Sequence, residues 1–320
     1  MDGRPLSTLK LPPATQSALM RAGYATVADV LATPAEALAK ELNISLAATQ
    51  TIYSASQAQR AAPMTQSAAV LVGGNSKRLT TLSRPLDAIL DGGIQRGSIL
   101  EISGAPGSLK ETLAERIALS FVEENEEVLF VDMQNMSGVD KLKECFNKSS
   151  DLPPQHERLV HFLSLQTLSD VMIFLGQLHE FLTSHPKTSL LVLNSLSFPF
   201  QSSVGFPHST RNALLERTKT SLAKACASGA LTVIITTQLA TKMLNADGTS
   251  ANFDTGSRAV LLPQLGSSYL PNGKTYRVMI VPHSPTSGVL RLLSSPLHVQ
   301  AQNKQPVRDE PYEIIEGVMQ

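Results

Sequence analysis

Short apolar runs at Ser98–Ser103, Glu127–Asp132, Ser189–Leu193 and Leu231–Thr236 alternate with stretches of helical character at Lys110–Glu123, Val171–Leu182 and Arg211–Ala227. The runs are apolar at consecutive positions, so their side chains need cover on both faces of a sheet. Parallel strands cannot be joined by tight turns, and the helical stretches supply the crossovers. The alternation predicts an α/β fold, a mostly parallel sheet with helices on both faces. Toward the C-terminus the helices stop. Tyr276–Val281, Gly288–Leu293 and Tyr312–Val318 are expected as antiparallel strands added at one edge.

The N-terminal part is of a different kind. Leu19, Met20, Val27, Val30 and Leu31 recur at helical spacing. Gly23 lies between two short helical patterns, where a tight hairpin needs a residue free to take positive φ. Thr33-Pro34-Ala35-Glu36 has the order of an N-cap, a proline at the first helical position and an early acid. Residues 1–58 are expected as a small all-helical, helix-hairpin-helix-like domain. Residues 59–78, rich in Ala, Gln and Ser and broken by Gly73-Gly74-Asn75-Ser76, read as a linker, which leaves 79–320 for the α/β core.

Lys+Arg 27 balances Asp+Glu 27, so any contact with a polyanion depends on a local patch. Cys145 and Cys226 make neither a disulfide framework nor a CxxC cluster, and they read as reduced thiols of an intracellular protein. No apolar run reaches the roughly 18 residues of a membrane span, and the first residues lack a basic-plus-apolar leader pattern. The expectation is a soluble cytosolic or nuclear protein with no membrane partner. The seven histidines show no H-E-x-x-H spacing, so no resident metal site is expected from them. Glu123-Glu124-Asn125-Glu126-Glu127 reads as a solvated turn.

The strand Ser98–Ser103 runs into Gly104-Ala105-Pro106-Gly107-Ser108-Leu109-Lys110-Glu111 and then into a helix. That is the setting of the phosphate-binding loop G-x-x-x-x-G-K-[ST]. There, backbone N–H groups cradle phosphate, the lysine meets the outer phosphates and the hydroxyl meets magnesium. Gly104 and Lys110 match, whereas Leu109 stands in place of the second glycine and Glu111 in place of the hydroxyl residue. Taken alone, the stretch is equally an ordinary glycine turn with a solvated lysine. The helix N-terminus behind it is an anion-binding element in either case.

Several stretches in fixed order carry a family resemblance. Leu86-Asp87-Ala88-Ile89-Leu90-Asp91-Gly92-Gly93-Ile94 with Gly97-Ser98-Ile99 and Glu101-Ile102 leads into the loop. Leu193-Asn194-Ser195-Leu196-Ser197-Phe198-Pro199-Phe200 ends a later strand, and Ile235-Thr236-Thr237-Gln238 with Thr241-Lys242 ends another. Leu262-Pro263-Gln264-Leu265-Gly266 and Ser295-Pro296 follow, and Leu11–Tyr53 is similar to an N-terminal helical domain. Together these resemble the eukaryotic RecA/RadA-type recombinase paralogs, above all the C-type paralog, along nearly the whole chain. The resemblance implies a RecA-like P-loop ATPase core, with nucleotide contacts from Gly104 through Glu111 and from Gln238.

The departures from that family are as informative. The acid that orients the attacking water falls at Gln134, with Asp132 near enough that a slip in register would restore it. The magnesium-associated Asp falls at Asn194. Neutral amides accept hydrogen bonds but take no proton near neutral pH, while phosphoryl transfer needs metal and positive charge to offset the developing anion. Leu109 is expected to deny the turn its positive φ. Glu111 brings negative charge to the metal and phosphate position, unless it ligates magnesium itself. The expectation is weak binding of ATP and Mg2+ and no efficient hydrolysis.

The family places its first DNA loop at Gln201–Arg211 and its second at Leu239–Ala259, where Lys242 and Arg258 are the basic residues and Phe253 a candidate stacking ring. So few cations imply weak, salt-sensitive single-stranded DNA binding. Family filaments insert an F-x-x-A-type segment into the neighbouring core. The linker here offers Ser67-Ala68-Ala69-Val70-Leu71 without a phenylalanine, which favours Val70 and Leu71 as an arm toward a sister paralog. The resemblance thus points to a nuclear protein of homologous recombination, a mediator in a hetero-oligomer of sister paralogs acting with the recombinase. A working DNA-dependent ATPase, with Glu111 and Asp132 as substitutes, and a scaffold binding neither nucleotide nor DNA are the alternatives.

Overall fold

A computed structural model describes residues 5–6, 9, 11–57, 78–202, 207–227, 229–247, 249–252, 254–296 and 308–320. The chain divides into two compact units, Met1–Ala68 and Ala69–Gln320.

The first unit holds helices α1 (Pro13–Arg21), α2 (Val27–Ala32), α3 (Ala35–Leu42) and α4 (Leu46–Gln57). Leu6, Leu9, Leu11, Leu19, Val27, Val30, Leu38 and Ile52 form its core. Gly23 takes φ +90° between α1 and α2, as its place in the hairpin requires. α2 starts on a reciprocal capping box between Thr26 and Asp29. Two expectations need correction. Pro34 is itself the cap of α3 rather than its first residue, and Met20 is 55% exposed while its neighbour Leu19 fills the core.

The second unit adds a hairpin of β1 (Arg78–Leu79) and β2 (Ile94–Gln95) around α5 (Arg84–Ile89). Then follow β3 (Ile99–Gly104), α6 (Lys110–Glu123), β4 (Glu127–Asp132), α7 (Val139–Phe146), β5 (Val160–Ser164), α8 (Leu168–Ser184), β6 (Thr188–Asn194), α9 (Ser197–Ser202), α10 (His208–Ala225) and β7 (Thr232–Leu244). The chain ends with β8 (Ser250–Ala251), β9 (Arg258–Pro263), β10 (Thr275–Pro282), β11 (Ser287–Ser294), β12 (Arg308–Ile315) and β13 (Val318–Met319). The sheet order is β13-β12-β11-β10-β3-β7-β6-β4-β5, parallel from β10 to β5. β11, β12 and β13 continue it antiparallel. Of the three strands expected antiparallel, β10 is so only toward β11, because it lies parallel to the loop strand β3.

Alternate residues of each central strand point to opposite cores, which is why the runs had to be apolar throughout. Leu190 and Val192 pack with Leu113, Ile117 and Phe121 of α6. Leu191 and Leu193 pack with Val171 and Leu175 of α8 and with Leu215 and Leu222 of α10. Between β3, β7 and β10 sits a fully buried carboxylate, Glu101. It accepts hydrogen bonds from Tyr269 Oη (2.6 Å), Thr237 Oγ1 (3.2 Å) and Arg277 Nε (2.5 Å). Arg277 also donates to the Gly266 carbonyl at 2.7 Å, tying the segment after β9 to the sheet. Burial, and then the charge of Glu101, push the Tyr269 hydroxyl well above its usual value, so it stays a donor.

The stretch Leu239–Ala259, expected as a loop, is instead largely a ribbon. β7 runs past Gln238 and pairs antiparallel with β9 and β8. Nor is Glu123–Glu127 simply solvated: Glu123 accepts from Ser149 at 2.6 Å, and Glu126 pairs with Arg96 and accepts from Ser189 at 2.6 Å. Among the described residues no helix is long and apolar enough to cross a membrane.

Candidate functional site at the strand ends

The C-terminal ends of β3, β4 and β6, and the point where β7 leaves the parallel sheet, bring Gly104, Asp132, Asn194 and Gln238 to one edge. In parallel sheets this is the edge where ligands bind. A Cβ on Gly104 would lie 2.2 Å from Ser108 Oγ, so any larger residue there requires the serine side chain to turn away. The turn that follows holds Gly107 at φ +80° and Leu109 at φ +60°, ψ +11°. Leu109 therefore does adopt the left-handed conformation that it was expected to deny the turn. The cost is roughly 1–2 kcal/mol for a residue with a Cβ, offset in part by its side chain packing on the core that α6 shares with the sheet.

Lys110, first residue of α6, is 1% exposed. A buried ammonium needs acceptors, and here they come from the chain itself. Nζ lies 2.9 Å from Glu111 Oε1 and donates to the Ala105 carbonyl at 3.2 Å. Neighbouring helical positions do not ordinarily face each other. The pair forms because the lysine folds back over the turn while the glutamate stays at the positive end of α6, where a carboxylate is stabilised. Ser108 Oγ is buried and finds no partner among the described residues.

Asp132 is also fully buried, and its carboxylate is engaged by the backbone N–H of Ser137 (3.1 Å), that of Gln134 (3.4 Å) and Asn194 Nδ2 (3.1 Å). Asn194 in turn accepts from Thr236 Oγ1 at 2.6 Å. The alternative in which Asp132 acts as the missing acid thus meets a carboxylate that already caps the turn after β4 and pins Asn194 in register opposite it. Gln134 lies at the strand end and faces another amide: its Oε1 accepts from Gln238 Nε2 at 3.2 Å. Gln238 Oε1 accepts from Gln201 Nε2 at 3.3 Å, and Gln201 also donates to Gln264 Oε1. Four glutamines from four segments form one neutral chain of hydrogen bonds.

Three members of this site escaped sequence reasoning. Gln201 and Gln264 lie in stretches quoted as landmarks, but an isolated glutamine carries no signal of its own. Glu115, one turn after Glu111 on α6, is buried at 7% exposure and accepts from Ser137 Oγ at 2.5 Å. Burial raises its carboxyl above the usual range, against the opposing hydrogen bond from Ser137. It lines a groove of about 600 Å³ together with Gly107, Leu109, Glu111, Arg116 and Lys141.

Of the residues expected to meet DNA, Lys242 and Arg258 stand on the same face of the ribbon. Lys242 pairs with Val260, and Arg258 with Leu244. Gln201 belongs to α9 and Arg211 to α10, whereas residues 203–206, Phe253, Val70 and Leu71 lie outside the described residues.

No family model matches the sequence. Over 306 aligned residues the chain is 24% identical to the DNA repair protein RAD51 homolog 3 of Cricetulus griseus, covering 83% of this chain and 80% of that protein. Over 59 residues it is 29% identical to the DNA repair and recombination protein RadB of Methanobrevibacter smithii, 18% of this chain and 25% of that one. The parallel sheet with its loop strand between β7 and β10, the antiparallel C-terminal strands and a similarity spread over most of its length agree: the chain is similar to the RecA/RadA-type recombinase paralogs.

Proposed function

We propose that this protein serves DNA repair by homologous recombination as a mediator. It joins a hetero-oligomer of sister recombinase paralogs in the nucleus and assists the recombinase on single-stranded DNA, and its own nucleotide site is degenerate. The observation that carries this reading is the pairing of Lys110 with Glu111 inside the loop. A magnesium triphosphate would need that ammonium, and it would need a hydroxyl where Glu111 stands. Gln134 and Asn194 add no charge to make up the loss, so ATP and Mg2+ are expected to bind weakly through Gly104–Glu111 and Gln238. Lys242 and Arg258 are the proposed DNA contacts. Val70 and Leu71 form the proposed arm toward the sister subunit, across the 59–78 linker that separates a helical domain from the core.

Purification of the native complex through a tag on this chain tests the reading. Sister paralogs should co-purify, with no nucleotide assignable to this subunit. Recovery of the chain alone, carrying stoichiometric ADP, would overturn it.

A further inference from the structure

We infer that Glu111 is an internal anion that fills the phosphate position of the loop, and that its charge alone decides whether the loop accepts a phosphate from outside. The inference rests on the reading of this loop as a degenerate nucleotide site and names what closes it. The loop keeps three features that a phosphate-binding turn uses. Gly107 and Leu109 are both left-handed, α6 begins directly at Lys110, and the lysine points into the turn rather than into solvent. What meets the lysine is the chain's own carboxylate. Glu111 Oε1 sits 2.9 Å from the ammonium, a distance proper to a charge-assisted contact. Its carboxylate is at the helix N-terminus, where an exogenous anion would gain the same stabilisation. At 14% exposure it is itself largely withdrawn from water. Ser108 Oγ, buried beside the turn and without a partner among the described residues, is a second polar group left over in the loop.

Two consequences follow. The wild-type loop is electrostatically complete, so added phosphate should not stabilise the fold. Replacing Glu111 by Gln keeps the shape but leaves Lys110 buried without a counter-charge, a state that an external anion relieves. The fold should then be stabilised by phosphate through mass action.

Melting curves of the full chain in rising inorganic pyrophosphate, without metal, test this. Wild type should not shift. Glu111→Gln should melt lower than wild type and recover by roughly 5 °C or more at about a hundredfold excess over its Kd. The double variant Lys110→Met with Glu111→Gln should not respond. If Glu111→Gln does not respond, or the double variant responds equally, the inference fails while the degenerate-site reading stands. A wild-type shift with magnesium ATP that saturates at ligand concentrations comparable to the protein, in contrast, would show tight binding and remove that reading itself. Should Glu111→Gln accumulate only as insoluble protein, pyrophosphate present during refolding should restore it, and failure to do so also counts against the inference.

Discussion

Replacing Tyr269 with phenylalanine removes one oxygen from the interior of the core and changes nothing else. That oxygen donates to Glu101 at 2.6 Å, and both residues are fully buried. A hydrogen bond to a charged acceptor contributes about 1.5–3 kcal/mol. The acceptor oxygen keeps Thr237 at 3.2 Å, so it is not orphaned, and a cost near the middle of that range, about 2 kcal/mol, is expected. For a domain of this size each kcal/mol moves the melting temperature by about 2–4 °C, so the variant should melt roughly 6 °C lower. Arg277→Leu should cost more, about 3–5 kcal/mol, because Glu101 then stays in the interior without its cation. The Gly266 carbonyl loses its donor as well. Calorimetry at neutral pH without DNA reads both. A Tyr269→Phe melt within about 1 °C of wild type, or an Arg277→Leu melt above that of Tyr269→Phe, would refute the reasoning.

Four further outcomes are expected. The isolated chain should show no magnesium-dependent ATP turnover above background; turnover near the roughly 10 s⁻¹ enzyme median, lost in Lys110→Ala, would contradict the loop geometry. Lys242→Ala with Arg258→Ala should reduce the slope of log affinity for single-stranded DNA against log salt by about 1.4, read by fluorescence anisotropy, and an unchanged slope excludes both as phosphate contacts. Val70→Asp with Leu71→Asp should abolish co-elution with a sister paralog while leaving the melt of the isolated chain unchanged, as size-exclusion chromatography will show. The raised carboxyl of Glu115 favours the protonated form in the fold. Its stabilising contribution is therefore complete below the ordinary glutamate range and is lost as pH climbs through the raised value. Glu115→Gln should thus gain on wild type as pH increases across that window, and melts showing the reverse trend would sink the assignment.

The central strands were readable because burial on both sides writes itself as unbroken apolar runs: Glu127–Asp132 is bounded as expected, and so is the crossover helix Lys110–Glu123 before it. β5 was not. Val160-His161-Phe162-Leu163-Ser164 is an edge strand, only partly covered, and its mixed composition resembles a loop. The extension of β7 escaped for a related reason. Leu239–Leu244 lies outside the packed layers, so its pattern reflects pairing with β9 rather than burial. At the site, the loop could be located from glycine spacing, and the substitutions at Leu109 and Glu111 could be read directly. What spacing cannot express is where a long side chain turns. Nothing in Lys110-Glu111 as adjacent letters says that the two will meet, since helical neighbours ordinarily diverge. The glutamine chain was equally hidden, because its members come from residues 134, 201, 238 and 264 and only the fold collects them.

β7 passes without interruption from the middle of the sheet, where Val233–Gln238 runs beside the loop strand, into the ribbon that carries Lys242. A paired strand is stiff and resists compression along its length. Four residue steps of about 3.3 Å carry the strand from Gln238 to Lys242, so a tilt of the peptide at one is delivered about 13 Å away at the other with little lost to bending. Since Gln238 is moored to Gln134 and Gln201 on either side, this rod has its fulcrum clamped. The ribbon is thereby held in a fixed attitude by the protein's own amides, ready to be met by whatever approaches that edge.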